Sequence, residues 1–402
     1  MNGLASHKRV LRVATVILCL MAVISIAIGC VNAVDYPKGS FDFQYDSAKV
    51  FSLRMDPYDE TMHPTKFQES LNLTKYYGSL QANQFPSMLM MLLPFTLLSP
   101  MAANWVWMLC NMLFSMGIVY LIKTLIFDEC YDKWCQDNTL FVKKDGVLLY
   151  CFFVALLFIG TPWRNNIGNG QHTIMALFSF LLAVYFSKHN KEVLSGTALA
   201  ISFFKYTLTV PLAIFFLHKK KYKALLVSMG IHVVLTVVAA IWLNASVIDM
   251  IIKPVKISSH LNAEGFLDIG AIFELGKVGM VITVLILLST ILYVLTGKYV
   301  GTDSELLSIL IMLALVSTYH RPYDYFVLII PVIVLSLKKQ DFSLRIILWG
   351  VTLYTFFFIK GMKLIGISAS LQHYVDCCIA CLLYLGVILS LVKVMKVRDK
   401  TD

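Results

Sequence analysis

Charge is scarce in this chain. Lysine and arginine number 34 and aspartate and glutamate 24, so only 14% of the 402 residues are charged. A soluble domain carries about a quarter. With 58% hydrophobic residues, this excludes an ordinary water-soluble enzyme. Short segments of alternating hydrophobicity are also missing, which excludes a transmembrane β-barrel. No internal repeat, low-complexity tract or long linker divides the chain, so residues 1–402 are read as one domain. The metal-binding patterns HExxH and DxD do not occur, and no GK[ST] follows the glycines at 168 and 170. Neither a metal nor a nucleotide cofactor is expected. Cysteine offers no framework either. Cys19, Cys30, Cys110 and Cys151 lie in or beside apolar runs, and Cys377, Cys378 and Cys381 form CCIAC inside the last one. A zinc site there would want a fourth ligand and polar support, so packing is expected. Cys130 and Cys135 fall in a loop read as cytoplasmic, where disulfides are rare.

Long apolar runs are what the chain does have. They cover roughly 10–33, 102–126, 146–160, 172–187, 193–217, 224–243, 278–296, 305–319, 324–337, 344–359 and 374–393, with a shorter one at 86–100. In lipid every backbone group must be paired within its own segment, so these runs are helices. The fold class is therefore an all-α polytopic membrane protein. The first run resembles a signal peptide but has no clear cleavage site, and it is read as a retained span. A net charge of +10 invites a nucleic-acid reading. The cations instead sit in short clusters between apolar runs, as cytoplasmic anchors do. All of these clusters fall on one side under two conditions. Segment 86–100, with Pro94 and Pro100, must dip in and return; segment 193–217 must be a hairpin turning near Lys205. That gives about 12 transmembrane helices with both termini inside. It also gathers 34–85, 161–171, the Lys205 turn, 244–277, 319–325 and 360–373 on the outer face.

Polar residues of unusual placement lie in those outer segments. Asp42 and Asp46, in FDFQYDSAKV, would share one face of a helix at i and i+4. They read either as the wet face of an interfacial helix or as a general base at the membrane boundary. Lys205 stands alone in an apolar context. At mid-membrane a lysine costs about 2.5–3.5 kcal/mol on insertion scales. It is either a snorkelling lysine in a turn or a cation waiting for a phosphate. Arg164, Asn165, Asn166, Gly168, Gly170, Gln171 and His172 form a second cluster, suited to sugar hydroxyls and phosphate or simply a loop. His320, Arg321, Tyr323, Asp324 and Tyr325 form a third, read either as a closed Arg321–Asp324 pair or as a second phosphate contact. Asp56, Asp59 and Glu60 read as exposed loop acids, and Asn72 and Asn244 begin glycosylation sequons.

These clusters, in this order, resemble the polyprenyl-phosphate-mannose-dependent α-1,2-mannosyltransferases, glycosyltransferase family eighty-seven. The resemblance rests on Asp42-Phe43-Gln44-Tyr45 and Asp56-Pro57-Tyr58 in the first outer loop. It continues with Phe85-Pro86, Leu97 to Pro100, Gly168 to Gln171, and Ser195-Gly196 to Lys205. It ends on Tyr319-His320-Arg321-Pro322-Tyr323-Asp324. Where the family carries a glycine near Asp-Pro-Tyr, this chain has Ser52-Leu53-Arg54-Met55. The resemblance implies the C-type glycosyltransferase fold, with interfacial helices in the 34–85 loop. It implies a hexosyltransferase that moves a sugar, mannose above all, from a polyprenyl-phosphate donor to a glycan or glycolipid acceptor with inversion. No nucleic acid is involved. It implies Asp42 as base, with Asp46 second, and Lys205, His320, Arg321 and Arg164 around the donor phosphate. Gln44, Tyr45, Asn166, Gln171, His172, Tyr323 and Asp324 would contact substrate. Such an enzyme would sit in a bacterial plasma membrane and face outward. A polysaccharide polymerase or ligase, or a lipid-linked sugar transporter, is the alternative reading.

Overall fold

The computed structural model describes residues 2–35, 41–59, 82–137, 143–261, 266–274, 276–296, 301–338 and 342–398. Helix is the regular structure found among them. The long helices turn apolar side chains outward: on Tyr222–Leu243, Leu226 is 70% and Ile241 75% exposed. Such faces need lipid rather than water around them. By length and composition alone five helical stretches could cross a membrane: Arg9–Val34, Pro100–Gln136, Glu192–Leu212, Tyr222–Leu243 and Ala369–Ser390, of which Glu192–Leu212 is broken at Phe203–Lys205. A sixth counts if Asp145–Ile159 and Thr161–Asn169, which meet at 53°, form one broken span.

The apolar runs are therefore not all full-length crossings. Thr173–Lys188 has 16 residues and Asp303–Ser317 has 15. At 1.5 Å per residue these reach only about 22–24 Å, short of a hydrocarbon core about 30 Å thick. Their lower ends meet in one charged layer. Lys188 and Lys219 both reach the carboxylate of Asp303, and Lys338 pairs with Glu305 at 2.7 Å. Cys130 lies beside Ser304 and Glu305 in the same place.

That layer also settles how 192–218 runs. A straight helix of this length would separate its ends by about 40 Å. Instead Lys221 approaches Glu192 at 3.8 Å and Asn190 at 3.3 Å. The segment goes in and comes back, as the flanking basic loops require. Glu192–Ser202 climbs beside Tyr222–Leu243, and a Cβ on Gly196 would stand 2.6 Å from the Ala224 carbonyl. The helix stops at Phe203–Lys205, where Lys205 leaves helical geometry (φ −115°, ψ 65°). The Thr209 hydroxyl caps the turn against the Ser202 and Lys205 carbonyls, at 2.9 and 3.1 Å. Tyr206–Leu212 and Ile214–His218 then return. Lys205 is the tip.

The first outer loop differs from expectation. Asp42 lies in a 3-10 turn, Phe41–Phe43; Gln44 is left-handed (φ 63°); the helix begins only at Tyr45. One αL residue breaks the helical path, so Asp42 and Asp46 do not share a helix face. Tyr45–Ser52 is not a wet interfacial helix either. Asp46, Ser47, Ala48, Val50 and Phe51 are buried, facing Pro86–Leu92 and Leu93–Leu97. Asp56 is held by Lys253 and by the Tyr58 amide (2.9 Å), and the Tyr58 hydroxyl donates to the Gln84 carbonyl (2.8 Å). Asp-Pro-Tyr thus ties the loop's two described ends together. Glu60, Asn72 and most of the loop's second half lie outside the described residues.

Gly196→Ala places a methyl group inside the contact with Ala224 and Val227. Thermal unfolding in detergent should show it destabilised by about 1–3 kcal/mol. Gly350→Ala, with nothing within 4 Å of a Cβ there, should unfold with the wild type.

Candidate functional site

The short helices end together at the level of the Lys205 tip. There the Lys205 ammonium meets the Asp324 carboxylate at 3.2 Å, their side chains 12% and 0% exposed. The same carboxylate oxygen accepts from His320 Nδ1 (3.2 Å) and from the Arg321 amide (3.1 Å). The Thr173 hydroxyl donates to its other oxygen. Four donors around one buried carboxylate keep it charged, because ionised acceptors gain most from such bonds. This gives Lys205 the partner its sequence context required. The ion pair of Asp324 is with Lys205, while the Arg321 side chain turns to Tyr319, Nε to hydroxyl at 2.7 Å.

His320 is wholly buried. Its Nε2 faces the Thr318 hydroxyl at 3.1 Å, and its backbone N–H donates to Asp268. Both ring nitrogens are engaged within the protein, so His320 holds Asp324 rather than lining the opening. Asp268 was not singled out in the sequence. It caps the short Ile269–Ile272 helix through the Ala271 amide (3.1 Å), beside the 318–321 turn. The same turn is held by Asn166, whose Nδ2 donates to the Tyr323 carbonyl and to Pro162 (3.1 Å).

Asp42 approaches this group from the first loop. Its position follows from Phe43, which stacks on Trp107 (4.7 Å, 13°) and meets Phe95 edge-on (5.1 Å, 89°). The Phe43 carbonyl accepts from His172 Nε2 at 3.1 Å, which fixes that nitrogen as the protonated one. Trp107 in turn donates to the carbonyl of Gly170 (2.8 Å), a left-handed helix terminus (φ 68°) that suits glycine. Gln171, next along, hydrogen-bonds Asp42. Burial raises the Asp42 carboxyl above its usual range. The Gln171 bond and the charges of Lys205 and Arg321 oppose that rise, and Asp324 adds to it.

Other candidates stand apart. Asp46 is buried with Oδ2 unpartnered, and burial pushes its carboxyl up to about 7. Gln44 accepts from Ser47 (3.4 Å) and the Tyr45 hydroxyl donates to Leu98 (2.8 Å), so both serve the loop's own geometry. Arg164 lies on the opposite face of Thr161–Asn169 from Asn166, with its Cγ against Gly29 of the first helix. Tyr323 packs under the Lys205 ammonium, 5.2 Å from ring centre to nitrogen. Asp42, Gln171, Lys205, Arg321 and Asp324 therefore form the cluster. Trp107, Thr173, Thr318 and Asp268 support it without a sequence signal of their own, being a tryptophan, two threonines and an aspartate of ordinary local context.

Two carboxylates and two cations thus come together among the membrane helices. Residues 86–322, more than half of the chain, match the model of glycosyltransferase family 87, and the chain belongs to that family. It is a membrane glycosyltransferase. The matched segment contains Gly168–Gln171, Lys205 and Tyr319–Arg321, while Asp42 precedes it and Asp324 follows. No curated protein matches the chain.

Removing one partner of a buried ion pair typically costs about 3–5 kcal/mol. Asp324→Asn and Lys205→Met should each destabilise on that scale in chemical unfolding. The double variant should recover part of the loss. Asp46 gives a pH signature. Its folded pKa lies above the unfolded value, so its stabilising effect is full below the ordinary carboxylate value of 3.8 and is lost as pH rises towards about 7. Asp46→Asn should therefore gain in melting temperature over wild type between pH 4 and 7, with a constant difference above.

Proposed function

We propose that this family member transfers a sugar, mannose on family resemblance, from a polyprenyl-phosphate donor to a hydroxyl of a glycan or glycolipid. The observation that carries the reading is the half-buried Asp42 carboxylate within electrostatic reach of Lys205 and Arg321. In this reading Asp42 takes the proton of the acceptor hydroxyl, and the freed oxygen attacks the anomeric carbon from the face opposite the phosphate. The bond from that carbon to the phosphate oxygen breaks, and its electron pair leaves on the polyprenyl phosphate. The leaving group gains negative charge, and fixed cations aimed at it lower the barrier most. Lys205 and Arg321 supply that charge. His320 and Asp324 act one step back, holding the lysine. One displacement inverts the anomeric centre, so a β-linked donor gives an α-linked product.

Depth supports the same reading. The cluster lies about 22–24 Å above the charged layer of Lys188, Lys219 and Lys338, by helix length. Cation-rich layers face the cytoplasm, and this supports a site toward the outer face. A bacterial plasma membrane with an outward-facing site fits.

Transfer of radiolabelled sugar from a panel of polyprenyl-phosphate sugars, in proteoliposomes, tests this. Asp42→Asn should lower the rate by about 10²–10⁴-fold. Lys205→Ala should lower it by about 10²–10³-fold. Because the raised Asp42 carboxyl must be ionised to act, the rate should fall on acidification at a pH above the usual carboxylate range. Full activity of Asp42→Asn would overturn the reading.

A further inference from the structure

His232 lies midway along Tyr222–Leu243, a helix otherwise faced with valine, leucine and isoleucine. An ionisable side chain at that depth is costly and needs a reason. Its ring joins three elements. Nε2 lies 3.0 Å from the carbonyl of Ala200 in the last turn of Glu192–Ser202. A carbonyl only accepts, so Nε2 carries the proton. Nδ1 is then left as acceptor for the Ser87 hydroxyl, 2.8 Å away in the Pro86–Leu92 helix. The ring face lies against Phe203, with centroids 5.6 Å apart. Phe203 opens the break that ends on Lys205.

We infer that His232 is a positioning residue for Lys205, tying the tip of the re-entrant hairpin to the Tyr222–Leu243 helix and to the 86–92 dip. The hairpin tip needs such a tie. Its helix ends inside the membrane, and Tyr206–Leu212, carrying Pro211, returns as a separate short piece. The tip is also fastened by Tyr206 against Phe85, with ring centres 5.3 Å apart, and by Thr318, which donates to the Thr207 carbonyl at 2.7 Å. With His232 fastening Ala200 and Phe203 before it and Thr318 fastening Thr207 after it, the lysine ammonium is held over Tyr323 and against Asp324. Without the histidine the Ala200 carbonyl and the Ser87 hydroxyl lose their shared partner. The tip can then shift, and an ammonium displaced by an ångström or so loses much of its value to a bound anion.

The inference rests on the reading of Lys205 as a phosphate-binding cation, and a double-mutant cycle separates the two. The probe is farnesyl monophosphate, a short polyprenyl phosphate, binding to the full chain in nanodiscs. Lys205→Ala is expected to weaken binding. His232→Leu is expected to weaken it about tenfold in the wild-type background and not at all in the Lys205→Ala background, because residues acting as a unit are not additive. His232→Gln, which can donate to Ala200 and accept from Ser87, is expected to restore binding to within about twofold of wild type. Ser87→Ala, which removes only one of the two bonds, is expected to give a smaller loss with the same dependence on Lys205. It carries the test should His232→Leu not fold. Equal losses in both backgrounds, or wild-type binding by His232→Leu, overturn the positioning role and leave the phosphate reading standing. Wild-type binding by Lys205→Ala overturns the phosphate reading, and the positioning role falls with it.

Discussion

One buried ion pair organises this protein. Lys205 and Asp324 meet where a bilayer offers neither of them water, and each is tolerable only because of the other. Satisfying Asp324 takes the His320 ring, the Arg321 amide and the Thr173 hydroxyl. Those groups come from the 318–324 turn and from the start of the helix after Gly170. The tip of the re-entrant hairpin, the 318–321 turn and the start of Thr173–Lys188 must therefore all stop at one level. Helices of 11, 15 and 16 residues, too short to cross alone, are what such a stop requires.

The two ends of those short helices carry opposite tasks. At one end, Lys188, Lys219, Lys221 and Lys338 pair with Asp303, Glu192 and Glu305 at a partly wet surface. Such pairs contribute little individually, but they fix the register of the hairpin and of Asp303–Ser317. At the other end the charges are buried and few. The aromatic group of Phe43, Phe95, Trp107, His172 and Phe204 walls off that end and carries the first loop onto it. A carboxylate on that loop, Asp42, thus reaches the same small volume as Lys205 and Arg321.

Much of this was legible in the sequence because membranes impose simple rules. Apolar runs had to be helices, and basic clusters on both sides of 193–217 had to make it turn back. A lone lysine in SFFKYT read either as a snorkelling turn residue or as a cation waiting for an anion. Those inferences depend only on desolvation and on the position of cations, and both are local. The paired reading of Asp42 and Asp46 failed for a local reason too. Gln44 adopts a left-handed backbone, and nothing in its side chain announces that. Arg164 looked equivalent to Asn166, yet two residues on a helix differ by about 200°, and only the neighbours decide which face matters. Asp268, Thr173 and Thr318 carried no pattern at all. Thr173 and Thr318 act through hydrogen bonds to residues 151 and 111 positions away, and Asp268 through a single turn.

The sequence by itself determined the solvent this protein folds in, the class of its elements, the residues that could not be buried alone and the family to which it belongs. The tertiary structure decided which anion Lys205 meets, that His320 faces inward, that Asp42 and not Asp46 shares the cation cluster, and at what depth the cluster lies. The physical reason is range. Hydrophobic transfer and helix formation are set by a residue and its near neighbours. Ion pairing in a low dielectric is set by distances of about 3 Å between groups far apart in the chain.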